Sequence, residues 1–303
     1  MLASVIICGY SMNRLNDIIA AVESIYNQTY RNIEVIVSID HNKQLFLKLK
    51  EMLPWKVIFA FNDSKPGLSE TRNAGIRKAQ GDIIAFIDDD AIADSKWLEN
   101  LMINYKDPSI MAVGGKLIPL WEKGRPWWFP EEFDWIVGCT YKGFPEKRGE
   151  VRNLIGCNMS FRKSVFEKVG YFSDRLGRLG NNALAGEETE LCLKIKVSIP
   201  EGKIIYEPEA LVYHKVPVSR CCLNYVIKRA YGEGLSKGCF PNKSLTTENS
   251  YLRFLLTTSI IGYIKDFFLL KSPLQNIGKL SLTMSAIIAT GIGYFKGKLY
   301  LLD

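Results

Sequence analysis

The sequence is poor in what zinc centres and disulfide frameworks require. Histidine occurs twice, and the seven cysteines (Cys8, Cys139, Cys157, Cys192, Cys221, Cys222 and Cys239) are odd in number and form no Cys-x-x-Cys pair. This spacing excludes a stapled secreted scaffold and argues against a zinc site. Most of the cysteines sit in apolar stretches, the pattern of reduced, buried thiols in a cytoplasmic protein. Also missing is an uninterrupted apolar run of the roughly 20 residues that a perpendicular transmembrane helix needs. No basic segment precedes the apolar start "MLASVIICGY", which is therefore expected to be a first strand and not a signal peptide. There is no internal repeat and no low-complexity tract.

What is present suffices for a full core. The 303 residues are 47% hydrophobic and 12% aromatic, enough for one large domain with an appendage or two modest ones. The net charge of +7 is unevenly spread: residues 215–303 carry 12 Lys and Arg against 4 Asp and Glu, whereas residues 1–214 carry 27 against 28. The same C-terminal quarter is rich in apolar runs. A basic, membrane-facing tail accounts for this better than a nucleic-acid groove, so no nucleic-acid partner is expected.

The first hundred residues alternate between strand and helix signals. Strands are expected at "ASVIICGY", "IEVIVSID", "WKVIFAF" and "DIIAFID", with helices over 14–28, 44–53 and about 69–79, a Pro66-Gly67 turn and a stop at Gly81. This alternation predicts an α/β fold with a mostly parallel sheet, which binds ligands beyond the carboxyl ends of its strands. Four of the six tryptophans fall within 121–135 among Pro and Gly, so 110–170 reads as long loops over an aromatic floor. A helix at "SVFEKVG", a glycine-rich loop at 177–186, a helix starting near Glu187 and a strand reaching His214 complete the core. Beyond residue 220, "CCLNYVIKRAYGEGLSKG" reads as a basic amphipathic helix. Phe254 to Leu270 and Leu280 to Phe295 are apolar stretches, read as interfacial helices or a shallow hairpin. The expected division is a core over 1–219 and a membrane-associated tail over 220–303.

The chemistry concentrates at the strand ends. In "FIDDDA", an extended chain would set Asp88 and Asp90 on one side and Asp89 on the other. Two neighbouring carboxylates need a cation, and oxygen ligands select Mg²⁺ or Mn²⁺, which commonly bind a substrate's phosphates. The alternative is an exposed acidic turn capping the next helix. Asp40 ends the second strand, as a crevice residue or a plain turn residue. Arg72 lies on a helix directed at the same edge, suited to a phosphate or an Asp. Glu187 and Glu188 open a helix, where they serve its dipole or supply a general base. His214 is a structural histidine or a metal ligand.

Taken together, "SVIICGYS", "YRNIEVIVSID", "GLSETRNAGIRKAQGDIIAFIDDDA", "GCNMSFRKSVFEKVGYF" and "GEETELC" resemble the family-2 glycosyltransferases of GT-A fold over roughly residues 1–220. Within that family, "IDHN", "GRPWWFPEEFDWIVGCTYKGF" and "VYHKV" look most like archaeal enzymes that add glucuronate to a glucosyl-dolichyl phosphate. The resemblance implies a metal-dependent inverting transfer from a UDP-sugar to a lipid-linked saccharide at the cytoplasmic face of the cell membrane. It assigns Gly9, Tyr10, Asp40, Arg72, Asp88 and Asp89 to the nucleotide-sugar, and Asp90, Asp88 and His214 to Mg²⁺ or Mn²⁺. Glu188 falls at the catalytic base, with Glu187 kept open for that role. Trp121, Trp127, Trp128 and Trp135 suit stacking on acceptor sugars or a satellite core, and Asn158 is a candidate sugar contact. Arg125, Arg148 and Arg152 are candidates for an acidic sugar's carboxylate or plain surface charge. Competing readings are a non-catalytic nucleotide- or membrane-binding module on the same fold, and a glycosyltransferase for another polysaccharide or glycolipid.

Overall fold

The computed structural model describes residues 1–173, 186–239 and 246–299. Its strands are β1 (Ala3–Gly9), β2 (Ile33–Asp40), β3 (Val57–Asn62), β4 (Ile83–Asp88), β5 (Ala91–Ala93), β6 (Ile110–Trp121), β7 (Gly149–Glu150), β8 (Asn158–Arg162) and β9 (Lys203–Val216). The helices are α1 (Leu15–Tyr26), α2 (Lys43–Met52), α3 (Leu68–Lys78), α4 (Trp97–Asn104), α5 (Lys163–Val169), α6 (Glu187–Ser198), α7 (Leu223–Gly238), α8 (Thr246–Phe254), α9 (Ile260–Phe268) and α10 (Pro273–Leu299).

The strands form one mixed sheet in the order β3-β2-β1-β4-β8-β6-β9-β5, with β7 on β9. The first four strands in that order run parallel, and β8 and β6 continue the sheet antiparallel. Val5, Ile6 and Ile7 of β1 are all fully buried, as a strand covered on both faces must be. Helix α1 turns Ile18, Val22 and Ile25 inward at helical spacing, and α3 packs Gly75 so closely on Ile6 that a Cβ would stand 2.7 Å from its side chain.

The expected strands and helices of the first hundred residues and the helices at 163–169 and 187–198 are all present, within a few residues of the boundaries read from the sequence. The region 110–170 is different. In place of long loops, it supplies β6 and β8 to the centre of the sheet. Their residues pair with distant strands, which a local reading dominated by Pro, Gly and Trp does not register. Gly115 is essential to this arrangement, because a Cβ there would lie 1.9 Å from the Ala210 carbonyl oxygen. Apart from Gly186, the glycine-rich loop expected at 177–186 lies outside the described residues.

The chain divides into two compact units. One comprises Met1–Ile118, the described residues from Pro145 on, and Gly186–His214; the other comprises Pro119–Phe144 and the described residues from Lys215 on. The boundary thus falls a few residues before the expected one, and the tryptophan-rich segment belongs with the tail. The reason is chemical: the Glu132 carboxylate accepts hydrogen bonds from Ser259 Oγ (3.0 Å) and Tyr263 Oη (2.7 Å), and Trp135 Nε1 donates to Tyr251 Oη at 3.1 Å. A π turn over Leu255–Ser259 joins α8 to α9, continuing the first apolar stretch as helix. The second becomes α10, 27 residues in one piece, because flanking residues extend the 16-residue apolar run. Among the described residues it is the one helix long and apolar enough to cross a membrane.

Candidate active site

The first unit gathers its chemistry where β1, β2 and β4 end. Tyr10, just past β1, is 63% exposed, an aromatic face open at the crevice. Gly9 is buried, and a Cβ there would lie 2.7 Å from Ile18 Cδ1. Its lack of a side chain therefore serves the packing of α1 on β1. Asp40 is braced on both oxygens, accepting from Asn62 Nδ2 at 2.7 Å and from the Gly67 amide at 2.9 Å.

Strand β4 stops at Asp88, and the chain turns through Asp89 and Asp90 before β5 begins. The extended alternation expected across all three aspartates is therefore broken after the first. Asp90 Oδ2 meets Arg14 Nη1 at 2.6 Å, and Asp89 Oδ1 lies 4.0 Å from the same nitrogen. Asp89 is 8% exposed and its Oδ2 is buried without a hydrogen-bond partner among the described residues. Burial, reinforced by the negative Asp90 and Asp88 and opposed by Arg14, pushes its carboxyl up to about 8.

Sheet register explains how His214 arrives. Strands β5 and β9 pair Ala91 with His214, so the imidazole falls beside the residue before Ala91, and its Nε2 lies 3.3 Å from Asp90 Oδ1. Strands β4 and β8 pair Ile87 with Asn158, where their ladder ends; Asp88 follows on one chain, and Cys157 precedes on the other in a tight turn closed by the Asn158 amide on the Ile155 carbonyl. One ligand atom each from Asp88, Cys157 and His214 lies within 4.8 Å of the other two. Carboxylates from Asp88 and Asp90 with the His214 imidazole make a donor set that fits a divalent cation.

Arg72 connects this cluster to the start of α6. Its Nη1 donates to Glu187 Oε1 at 2.7 Å, its Nη2 donates to the Gly156 carbonyl at 3.3 Å, and Nη2 lies 3.7 Å from Asp88 Oδ1. The guanidinium is buried, 5.4 Å from the Phe172 ring centroid. Burial opposes its charge, but Glu187 and Asp88 outweigh that and hold it as a cation. Glu187 is 5% exposed and also accepts from the Gly186 amide. Glu188, the next residue of α6, is only half-buried.

Asn158 is not where a sugar could touch it. It is fully buried; its Oδ1 accepts from Trp97 Nε1 at 2.8 Å, and its Nδ2 donates to the Lys116 and Ala210 carbonyls at 3.1 and 2.8 Å. Its amide thus ties β8 to α4, β6 and β9, and the acceptor role expected for it is withdrawn. The tryptophans and Arg125 lie in the second unit. There Arg125 is bidentate to Asp134 at 2.7 and 2.8 Å and sits 4.9 Å from the Trp121 ring. It is thus spent on an internal carboxylate. Trp127 is exposed, and Trp128 packs beside Phe129. In the first unit, Arg148 donates to Asn104, and Arg152 to Asn153.

Two site residues escaped the sequence reading. Arg14 stands in a 3-10 turn over Met12–Arg14, capped by Ser11, and nothing in "SMNRL" singles it out. Cys157 looked like one more thiol in an apolar stretch. Its neighbour Asn158 drew notice while the cysteine itself reaches the cluster.

A parallel sheet continued antiparallel past β4, with an Asp-x-Asp turn at its edge and an acidic helix start facing it, defines a GT-A glycosyltransferase. Residues 4–170 match Glycosyl transferase family 2, and the chain belongs to that family. The glucosyl-dolichyl phosphate glucuronosyltransferase of Haloferax volcanii is 34% identical over 99% of this chain and 97% of its own. The succinoglycan biosynthesis protein ExoM of Rhizobium meliloti is 24% identical over 77% of this chain and 72% of its own. Among solved structures, the mannosyltransferase PcManGT of Pyrobaculum calidifontis, in complex with GDP-Man and Mn²⁺, shares the fold with a TM-score of 0.61 at 15% identity, covering 97% of this chain and 86% of that one.

Proposed function

We propose that this glycosyltransferase moves a sugar, glucuronate first among the candidates, from a UDP-sugar to a dolichyl or polyprenyl phosphate-linked saccharide at a membrane surface, with inversion. The observation that carries this reading is the meeting of Asp88 and His214 within 4.8 Å with Asp90 3.3 Å from His214, joined through Arg72 to Glu187 at the start of α6. The near full-length likeness to the glucosyl-dolichyl phosphate glucuronosyltransferase of Haloferax supports the choice of sugar and the acceptor class.

Asp88, Asp90 and His214 hold Mg²⁺ or Mn²⁺, which when bound supplies Lewis-acid stabilisation of the departing diphosphate. Tyr10 and the braced Asp40 receive the nucleoside. Glu187 is committed to Arg72, and a carboxylate held in a buried 2.7 Å ion pair is a poor proton acceptor. Glu188 is then the base: it takes the proton of the acceptor hydroxyl as that oxygen attacks the anomeric carbon opposite the leaving group. A single displacement of this kind inverts the anomeric centre. The second unit supplies the membrane contact. Leu274, Ile277, Met284, Ile288, Ile292 and Phe295 form an exposed apolar stripe along α10, in a basic segment that suits anionic lipid.

The test is to incubate the purified full-length enzyme with labelled UDP- and GDP-sugars, Mg²⁺ or Mn²⁺, and glucosyl-dolichyl phosphate. Label from UDP-glucuronate is expected in the lipid fraction, and no transfer from any donor would overturn the reading. Glu188→Gln is expected to abolish transfer while keeping nucleotide binding, and Asp90→Asn to lose both; turnover in either variant removes that residue from its role.

A further inference from the structure

We propose that Cys157 is a ligand of the same cation, and that its sulfur biases the site toward softer ions such as Co²⁺ and Cd²⁺ and against Mg²⁺. This rests on the reading that Asp88, Asp90 and His214 hold a divalent ion. Three observations support it. The β4–β8 ladder ends at the Ile87–Asn158 pair, and Cys157 lies just before it, in a tight turn closed by the Asn158 amide on the Ile155 carbonyl at 3.0 Å, while Asp88 directly follows Ile87. A ligand atom of Cys157 lies within 4.8 Å of those of both Asp88 and His214, a spread that one ion bridges. Cys157 and His214 are 4% and 3% exposed, so the sulfur and the imidazole sit on the dry side of the cluster, while Asp88, at 32% side-chain exposure, borders the crevice.

The donor set then contains carboxylate oxygen, imidazole nitrogen and sulfur. Mg²⁺ takes oxygen ligands and keeps its waters, whereas sulfur favours softer ions. As the metal–sulfur bond forms, the thiol proton passes to solvent, so uptake of a thiophilic ion releases one proton more than an oxygen-only site would. The other cysteines form no such group: among the described residues, this is the one cluster of His, Cys, Asp or Glu with metal-ligand spacing.

Co²⁺ titration of the full-length protein with UDP present tests this. Wild type is expected to show the visible cobalt bands together with a near-ultraviolet thiolate-to-cobalt band. Cys157→Ser should lose the ultraviolet band and keep the visible ones, while Cys222→Ser, at an exposed thiol, keeps both. X-ray absorption on the wild-type cobalt complex should show a sulfur neighbour, a readout that needs no variant to fold. By calorimetry, the preference for Cd²⁺ over Mg²⁺ should fall at least about tenfold in Cys157→Ser, no less than the loss that follows from altering a metal's outer partners. Cobalt binding without a sulfur neighbour would overturn the role of Cys157 and leave the cation site standing. Failure to bind any divalent ion would instead overturn the cation reading itself.

Discussion

At the scale of single residues, Arg72 shows how one buried charge organises a site. It holds Glu187 at 2.7 Å and reaches toward Asp88 at 3.7 Å, so the carboxylates of two distant segments share one counter-ion. Arg72→Met would leave Glu187 buried without its cation. We expect a loss of about 3–5 kcal/mol in urea unfolding, with much of it recovered when Glu187→Leu is added. Asn158 invites a contrasting prediction. Asn158→Ala strands the Trp97 indole N–H and two carbonyls, so stability should fall by at least about 1–3 kcal/mol. Nucleotide affinity of the folded protein, measured by calorimetry, should not change; a selective loss of affinity would return Asn158 to the binding site. The aspartates, Glu187, Glu188 and His214 were legible in the sequence because each combines a charged or ligating type with a strand end or helix start. Arg14 and Cys157 were not, since their partners lie 76 and 69 residues away in Asp90 and Asp88.

At the scale of elements, α7 and α10 meet through glycine. A Cβ on Gly234 would lie 2.0 Å from the Thr290 carbonyl oxygen, and one on Gly293 would lie 2.1 Å from that of Tyr231, so only bare backbone permits this approach. Gly293→Leu is expected to separate the helices and lower the melting temperature of the second unit, followed by circular dichroism. Gly291→Ala, with nothing within 4 Å of the new Cβ, should stabilise by up to about 1 kcal/mol through helix propensity alone. The joint between the 131–137 turn and α9 is expected to respond to pH through Glu132. Burial raises Glu132, but hydrogen bonds from Tyr263 and the Lys142 charge outweigh it and hold the carboxyl below its ordinary 4.5. A depressed folded value means that the stability is present above pH 4.5 and lost as pH falls through the folded value. The advantage of wild type over Glu132→Gln in urea melts should therefore be full at neutral pH and vanish in acid; an advantage that persists there would remove the charge from this role.

At the scale of the molecule, apolar and basic character coincide in one stretch of chain. Residues 215–303 carry the whole positive excess, and α9 and α10 expose Ile261, Phe268, Leu274, Ile288 and Phe295. Helix α10 is 27 residues, about 40 Å at the rise of an α-helix. In flotation assays the full chain should bind vesicles rich in anionic lipid more tightly than neutral ones. Salt at about 1 M, where screening acts within about 3 Å, should erase that difference while leaving residual binding through the apolar face. Equal binding to both vesicle types in low salt would remove the basic residues from membrane contact.

Sequence by itself determined the alternation of strands and helices over the first hundred residues, the family motifs and the carboxylates proposed to carry the chemistry. These signals are local: apolar periodicity, turn residues and charged groups at element ends. Tertiary structure decided that 110–121 and 158–162 are central strands, that Asp89 and Asp90 lie in a turn, that Asn158 is a buried tie, and that the tryptophan segment joins the tail. Each of these follows from pairing between residues far apart in the chain. Sheet register set His214 beside Ala91 and a tight turn before β8 brought Cys157 near Asp88, so that the three successive aspartates are flanked by Arg14, Arg72 and His214.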